Sequence, residues 1–204
     1  QTAARVMQRY EERLAAYQAA DFDDLIGLPL RLLGRDGEAR AKWQGAFDHV
    51  LVDEVQDTNA VQYELLKALV DHPDDRRRGR FTAVGDDDQS IYGWRGATLE
   101  NLKRLQTDWP RLETIALEQN YRSTGAILRA ANHVIAANPK LFEKKLWSEL
   151  GEGEPVRRIE CDNEEHEADR SVAFIQARRS RGGQVRFADF AILYRANHQA
   201  KAFE

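Results

Sequence analysis

The stretch His49-Val50-Leu51-Val52-Asp53-Glu54-Val55-Gln56-Asp57-Thr58-Asn59 decides how this chain is read. Val50, Leu51 and Val52 form an unbroken apolar run rather than an alternating one, the pattern of a strand buried on both faces of a parallel sheet. Asp53 and Glu54 follow directly. Ligands of open α/β sheets sit beyond the carboxyl ends of the strands, so the pair stands where a nucleotide and its metal would be held. The first acid can hold Mg²⁺, and the second can orient or deprotonate an attacking water. Taken alone, the same pair also fits plain helix capping.

Downstream, Thr58 or Asn59 is expected to cap a helix running to about Val70, with Val61, Leu65, Leu66 and Leu69 on its apolar face. Asp71 to Arg80 reads as a polar loop in which Arg76 to Arg78 form a solvated turn. Phe81 to Val84 is a second buried-type strand, broken at Gly85 and followed by Asp86-Asp87-Asp88-Gln89-Ser90-Ile91-Tyr92-Gly93-Trp94-Arg95-Gly96-Ala97. Gln89 can hydrogen-bond a phosphate oxygen or the attacking water, and Arg95 can reach a phosphate. Exposed Tyr92 and Trp94 would offer rings for stacking on bases. A metal-binding acidic loop is the alternative, but it leaves the aromatics without a role.

Glu113 to Leu117 is expected to be a third strand, leading through Tyr121 and Arg122 into a helix from Ser123 or Thr124 to about Asn138, stopped by Pro139. Ile127, Leu128, Ala131, Val134 and Ile135 would face inward. Arg122 could reach a phosphate bound elsewhere and Tyr121 could stack on a purine; read without context, a Tyr-Arg pair before a helix is structural more often than not. Further on, Phe142 to Leu150 reads as a loop or short helix and Val156 to Cys161 as a strand. Asn163 caps a helix reaching Ala177, with Glu164, Glu165 and Glu167 at its positive end, and Gly182-Gly183 closing it. His166 among those acids reads as a solvated helix start rather than a metal ligand. Phe190 to Tyr194 is the last expected strand.

Upstream of the opening stretch lie three expected helices. Thr2 to Ala20 carries Val6, Tyr10, Leu14 and Tyr17 at helical spacing, Asp21 is placed to cap the next, and Glu38 to Phe47 turns Trp43 and Phe47 toward the core. The 204 residues are 42% hydrophobic and 31% charged, ordinary for a globular chain of one or two domains. No apolar run is long enough to span a membrane. One cysteine, Cys161, excludes an internal disulfide, suits a reducing cytoplasm and reads as a small buried strand residue. A net charge of −4 confines any nucleic-acid contact to a local groove. The chain opens Gln1-Thr2 without Met and reads as a piece excised from a longer protein.

The ordered set Asp53-Glu54-Val55-Gln56-Asp57-Thr58-Asn59, Val84-Gly85-Asp86-Asp87-Asp88-Gln89-Ser90-Ile91-Tyr92, Trp94-Arg95-Gly96-Ala97 and Gln119-Asn120-Tyr121-Arg122-Ser123 resembles the motifs of the UvrD/PcrA/Rep family of superfamily-one DNA helicases. The likeness extends through Asp21-Phe22-Asp23-Asp24-Leu25 and Ala191 to Gln199. It leans toward the Rep branch in Asn138-Pro139, Phe142-Glu143-Lys144 and Asn163 to Glu167. The resemblance implies an α/β fold of two RecA-like P-loop NTPase lobes, parallel sheets flanked by helices, each incomplete here. Residues 1–117 would belong to the first lobe with the end of its helical insertion, and 118–204 to the second. The implied activity is ATP-dependent 3′ to 5′ translocation and unwinding of DNA in replication or repair, with ATP, Mg²⁺, single-stranded DNA, duplex junctions and replication or repair proteins as cofactors and partners.

The resemblance assigns roles by position. Asp53 would bind Mg²⁺ and Glu54 activate water. Gln89 would contact the γ-phosphate, Arg95 link that phosphate to the DNA site, Tyr121 stack on adenine and Arg122 act as an arginine finger. Tyr92 and Trp94 would stack on bases, with Phe22, Arg195 and Asn197 as further DNA contacts. Val55 stands where the family usually has an aromatic, which puts local packing in question. No Gly-x-x-x-x-Gly-Lys-Ser/Thr stretch occurs, so the phosphate cradle is expected upstream and this piece alone is expected to be inactive. The helicase lobes of a recombination helicase-nuclease and a non-catalytic DNA-binding module remain as alternatives.

Overall fold

The computed structural model describes residues 2–72, 80–181 and 185–204; Arg76 to Arg78 and Gly182-Gly183 lie outside them. The chain divides into two compact units, Gln1–Gly151 and Glu152–Glu204. In order the first holds α1 (Thr2–Ala16), α2 (Asp24–Arg35), α3 (Gly37–Ala46), β1 (Val50–Val52), α4 (Ala60–Val70), β2 (Phe81–Ala83), α5 (Glu100–Asp108) and α6 (Gly125–Ile135); the second holds α7 (Glu164–Ser180). Mixed helices around a small parallel sheet make this an α/β chain.

β1 and β2 pair in parallel, Val50 beside Phe81, Leu51 beside Thr82 and Val52 beside Ala83. The expectation of a strand covered on both faces does not hold, since Leu51 is 78% exposed. Its outer face has no covering layer among the described residues. The inner face feeds a core of Val55, Tyr63, Leu66, Val70, Phe81, Leu102, Leu105 and Trp109, with Leu141 and Phe142 packed against it. Trp109 meets Phe81 edge-on at 4.6 Å between ring centres. Tyr63 donates to Asp108 at 2.9 Å, and Lys67 pairs with the same carboxylate at 3.0 Å. A buried phenol thereby finds its acceptor beside a cation.

Asn59 caps α4 as expected: its Oδ1 accepts from Gln62 N, and the Gln62 side chain accepts from Asn59 N, both at 2.9 Å. The expected apolar stripe of α4 is corrected, because Tyr63, Leu66, Ala68 and Val70 are buried and Val61 is exposed. The helix lies between α2 and α3 on one side and the α5 core on the other, so two faces are covered rather than one. Trp43 and Phe47 also depart from expectation, being exposed and stacked on each other. Gln44 points inward instead, donating to Ala68 O at 2.7 Å and Asp71 O at 3.1 Å. It thus satisfies carbonyls that the end of α4 would leave orphaned.

α1 stops at Ala16 rather than Ala20, where Gln18 adopts a left-handed conformation with φ of 50° and reverses the chain. Asp21 makes its expected cap-type bond, Oδ1 accepting from Asp24 N at 2.9 Å, while the regular helix begins at Asp24. α6 is shorter than expected and buries Leu128, leaving Ile127 and Val134 exposed. Residues 113–117, 156–161 and 190–194 are not strands, and Cys161 is half-buried outside one. An extended segment becomes a strand only when a neighbouring backbone takes up its N–H and C=O groups, and no described segment does so here. In the second unit Asn163 caps α7 by accepting from His166 N at 2.8 Å, and the three expected glutamates occupy its first turn.

Val55 is 1% exposed and closes the core, which answers the question of its local packing. Gly85 makes that packing possible. A Cβ there would lie 2.7 Å from Gln56 Oε1 and 2.8 Å from Val55 Cγ1, and neither neighbour can retreat. Gly85→Ala is therefore expected to destabilise the chain by about 1–3 kcal/mol, read as a lower urea midpoint with unchanged slope.

Candidate nucleotide and nucleic-acid site

Parallel pairing sets the carboxyl ends of β1 and β2 side by side. The ladder continues past both strands, with Val84 N donating to Val52 O at 2.8 Å and Val55 N to Val84 O at 3.0 Å. Beyond β1, Asp53 Oδ1 accepts from Glu54 N at 2.9 Å. Glu54 itself holds φ 50° and ψ 45°, a left-handed conformation that non-glycine residues seldom adopt. Both carboxylates are exposed.

Gln56, 1% exposed, spans the two strand ends. Its Nε2 donates to Glu54 Oε2 at 2.7 Å, and its Oε1 accepts from Asp86 N at 3.1 Å. The general-base candidate and the acidic loop after β2 are thereby held by one carboxamide. In that loop Asp86 Oδ1 accepts from Asp88 N at 3.1 Å, and Asp86 Oδ2 accepts from Gln89 Nε2 at 2.6 Å. Lys144 places its ammonium among the three aspartates, 2.5 Å from Asp86 and 3.1 Å from Asp88, and bonded to Asp87. Asp87 Oδ2 also accepts from the amides of Leu141 and Phe142, at 3.1 and 3.4 Å.

The following loop gathers Tyr92, Trp94 and Arg95. The two rings lie 6.4 Å apart at 48°, and the Arg95 guanidinium carbon is 5.7 Å from each ring centre. Trp94 is 80% exposed. Gly96, at φ 89°, turns the chain back toward Asn59, which pairs with Ala97. Buried Asn101 secures this return, its Nδ2 donating to Thr58 O, Thr58 Oγ1 and Asn59 O at 2.9, 3.1 and 3.1 Å. The aromatic loop is therefore anchored to the segment that follows Asp53 and Glu54.

Tyr121 and Arg122 sit on a turn built by Asn120, whose Oδ1 accepts from Arg122 N at 2.9 Å and Ser123 N at 2.7 Å. The Tyr121 hydroxyl donates to Gln119 at 2.9 Å while its ring is exposed. Neither residue makes a hydrogen bond or ion pair with Asp53, Glu54 or Gln89 among the described residues. Phe22, 90% exposed between α1 and α2, likewise stands apart. In the second unit Arg195 and Asn197 are exposed at the start of a tight turn, where Gln199 Oε1 accepts from Arg195 N and Ala196 N at 3.0 and 2.9 Å. Asn197 opens that turn rather than following a strand.

Sequence reasoning missed Gln56, Asn101 and Lys144 as supporting residues. Gln56 carried one usable signal, a polar side chain two residues after Glu54. Asn101 and Lys144 carried none, because their partners are distant in the chain.

Residues 1–110 match the model of the UvrD/REP helicase N-terminal domain, and residues 115–204 that of the UvrD-like helicase C-terminal domain. The chain belongs to the UvrD/REP helicase family. Among named relatives, it is 52% identical over 195 residues to the ATP-dependent DNA helicase Rep of Salmonella typhimurium, covering 96% of this chain and 28% of that protein. The Rep helicase of Escherichia coli gives the same identity and coverage. The ATP-dependent DNA helicase UvrD1 of Mycobacterium leprae is 44% identical over 208 residues, covering all of this chain and 27% of its own length. The chain thus spans under a third of the length of these curated relatives.

Two predictions follow from the anchoring geometry. Asn101→Ala removes three hydrogen bonds from part-buried acceptors and is expected to cost about 1–3 kcal/mol, visible as faster amide exchange across residues 92–98.

Burial raises the Asp86 and Asp87 carboxyls, but Lys144, with Gln89 for Asp86 and the Leu141 amide for Asp87, outweighs it and holds both below the usual range. Burial likewise lowers the Lys144 ammonium, and its three carboxylate partners outweigh that and raise it. Lowered acids stabilise the fold above their unfolded values near pH 4, and this is lost as pH falls through the folded values. The raised lysine stabilises it below about pH 10, and this is lost only as pH rises through its folded value. Exchange protection of the Leu141 and Phe142 amides, corrected for intrinsic rates, should stay flat from about pH 5 to 9 and fall below about pH 4.

Proposed function

We propose that this chain carries the water-activating, phosphate-sensing and base-stacking parts of an ATP-dependent DNA helicase that moves 3′ to 5′ along single-stranded DNA. The observation that supports this best is the Gln56 carboxamide, which joins Glu54 to the Asp86–Gln89 loop at the ends of two parallel strands. Residues 1–117 contribute to a first RecA-like lobe and 118–204 to a second. A cytoplasmic site of action, at junctions met in replication or repair, goes with this reading.

The donor set fits Mg²⁺. Asp53 and Glu54 are exposed oxygen donors at a strand terminus, and Mg²⁺ is commonly held by one or two carboxylates together with substrate phosphates. Asp57, a few residues on, has a buried Oδ1 with no hydrogen-bond partner among the described residues. When bound, Mg²⁺ supplies charge neutralisation to the phosphate oxygens. Asp53 is the residue that would hold it.

Glu54 receives the proton of the attacking water, and its left-handed backbone together with the Gln56 bond fixes where its carboxylate points. Gln89 presents its carboxamide to the γ-phosphate, and Arg95 transmits that contact to the rings it lies beside. Tyr121 stacks on adenine, and Arg122 reaches the γ-phosphate when the lobes close. Tyr92 and Trp94 stack on bases whatever their identity, so movement needs no sequence preference. Phe22, Arg195 and Asn197 extend the DNA contact.

The decisive experiment is ATP hydrolysis by the full-length polypeptide that contains this chain, with and without single-stranded DNA. Glu54→Gln should lower the DNA-stimulated kcat by about 10²-fold or more, and Arg122→Ala by about 10³-fold. Trp94→Ala should weaken DNA binding by about 1–3 kcal/mol while sparing ATP binding. The 204 residues alone, lacking a Gly-x-x-x-x-Gly-Lys-Ser/Thr stretch, should turn over ATP negligibly. DNA-independent turnover, or turnover that survives Glu54→Gln, overturns the proposal.

A further inference from the structure

Lys144 belongs to the part of the chain matched by the C-terminal domain model, and the three aspartates it binds belong to the part matched by the N-terminal one. We propose that Lys144 is a positioning residue for Gln89, acting through Asp86, and so ties the orientation of the phosphate-facing carboxamide to the segment 141–144. The inference rests on the functional reading given above.

The network is continuous. The ammonium contacts all three carboxylates, and Asp86 uses its remaining oxygen to accept from Gln89 Nε2 at 2.6 Å. A carboxylate can only accept, so the amide nitrogen of Gln89 must face Asp86. The carbonyl Oε1 is then left to accept from the attacking water, and the second amide hydrogen is left to donate to a phosphate oxygen. An ionised Asp86 is therefore what sets the side chain's polarity. Three consecutive carboxylates whose oxygens lie within 4.8 Å of one another repel, and a compact cation at their centre is what keeps them ionised and convergent.

The segment bearing Lys144 is itself fixed to the same acids. Asp87, with its side chain 4% exposed, accepts from two consecutive backbone amides, Leu141 and Phe142, while its other oxygen binds the lysine. Leu141 and Phe142 pack on the core that also holds Val55 and Phe81. Displacement of this segment would pull the ammonium from Asp86 and leave the carboxylate that orients Gln89 without its cation. Nothing else among the described residues holds the Gln89 side chain.

The test is a double-mutant cycle in the full-length polypeptide, read as DNA-stimulated kcat and as KM for ATP. Lys144→Met is expected to lower kcat at least tenfold, with KM changed by less than twofold, and Lys144→Arg to recover at least half of wild-type kcat. In a Gln89→Ala background, Lys144→Met should change kcat by less than twofold, because the residue through which it acts is gone. A role in stability alone would instead lower Tm and multiply with Gln89→Ala. If Lys144→Met does not fold, isosteric Asp86→Asn carries the test, with the same loss and the same lack of further loss in the Gln89→Ala background. Kcat within twofold of wild type for the folded variant, or losses that multiply, overturn the inference. Failure of the wild type to hydrolyse ATP in response to DNA overturns the functional reading itself, and this inference with it.

Discussion

Two backbone hydrogen bonds, Val84 N to Val52 O and Val55 N to Val84 O, govern most of what is arranged around them. They continue the parallel ladder beyond both strands, so the chain leaves β1 and β2 at the same edge and at the same level. Everything polar that follows inherits that alignment. Were the register one residue different, the faces of each strand would exchange and the core would lose Phe81. The close approach also explains Gly85, since Val55 and Gln56 occupy the space where a side chain would go.

On this frame, polar side chains rather than apolar ones carry the fine positioning. Gln56 joins Glu54 to the Asp86 amide, Asn101 joins the aromatic loop to Thr58 and Asn59, and Lys144 gathers three aspartates. Gln56 and Asn101 are each 1% exposed. Breaking such a bond leaves a desolvated partner behind, and that asymmetry makes buried carboxamides effective at fixing one geometry. Asp53, Glu54, Trp94, Tyr121 and Arg122, the groups proposed to meet ligands, are exposed.

The apolar surface has a different lesson. Leu51, Ile115, Leu117 and Leu193 are all largely exposed, although each belongs to a run that reads as a strand. Apolar patterning records what a segment is suited to cover, while exposure records which neighbours are there to cover it. Ile115 and Leu117 line a cavity of about 960 Å³ beside β2, together with Leu102, Trp109 and Phe142.

The sequence alone determined the two strands, because β-branched and aromatic runs bounded by acids and Gly85 leave few alternatives. It also determined the caps, since Asn59 and Asn163 act on amides within three residues of themselves. It determined the family through short motifs, and with it the candidate residues. Tertiary structure alone decided which face of α4 is buried, why Gln44 rather than Trp43 turns inward, and that the runs at 113–117 and 190–194 pair with no backbone among the described residues. It alone placed Lys144 on Asp86, Asp87 and Asp88, and Asn101 on Thr58. Local rules reach a few residues along the chain, whereas these pairings join groups some 40 to 58 positions apart, and only packing brings such groups together.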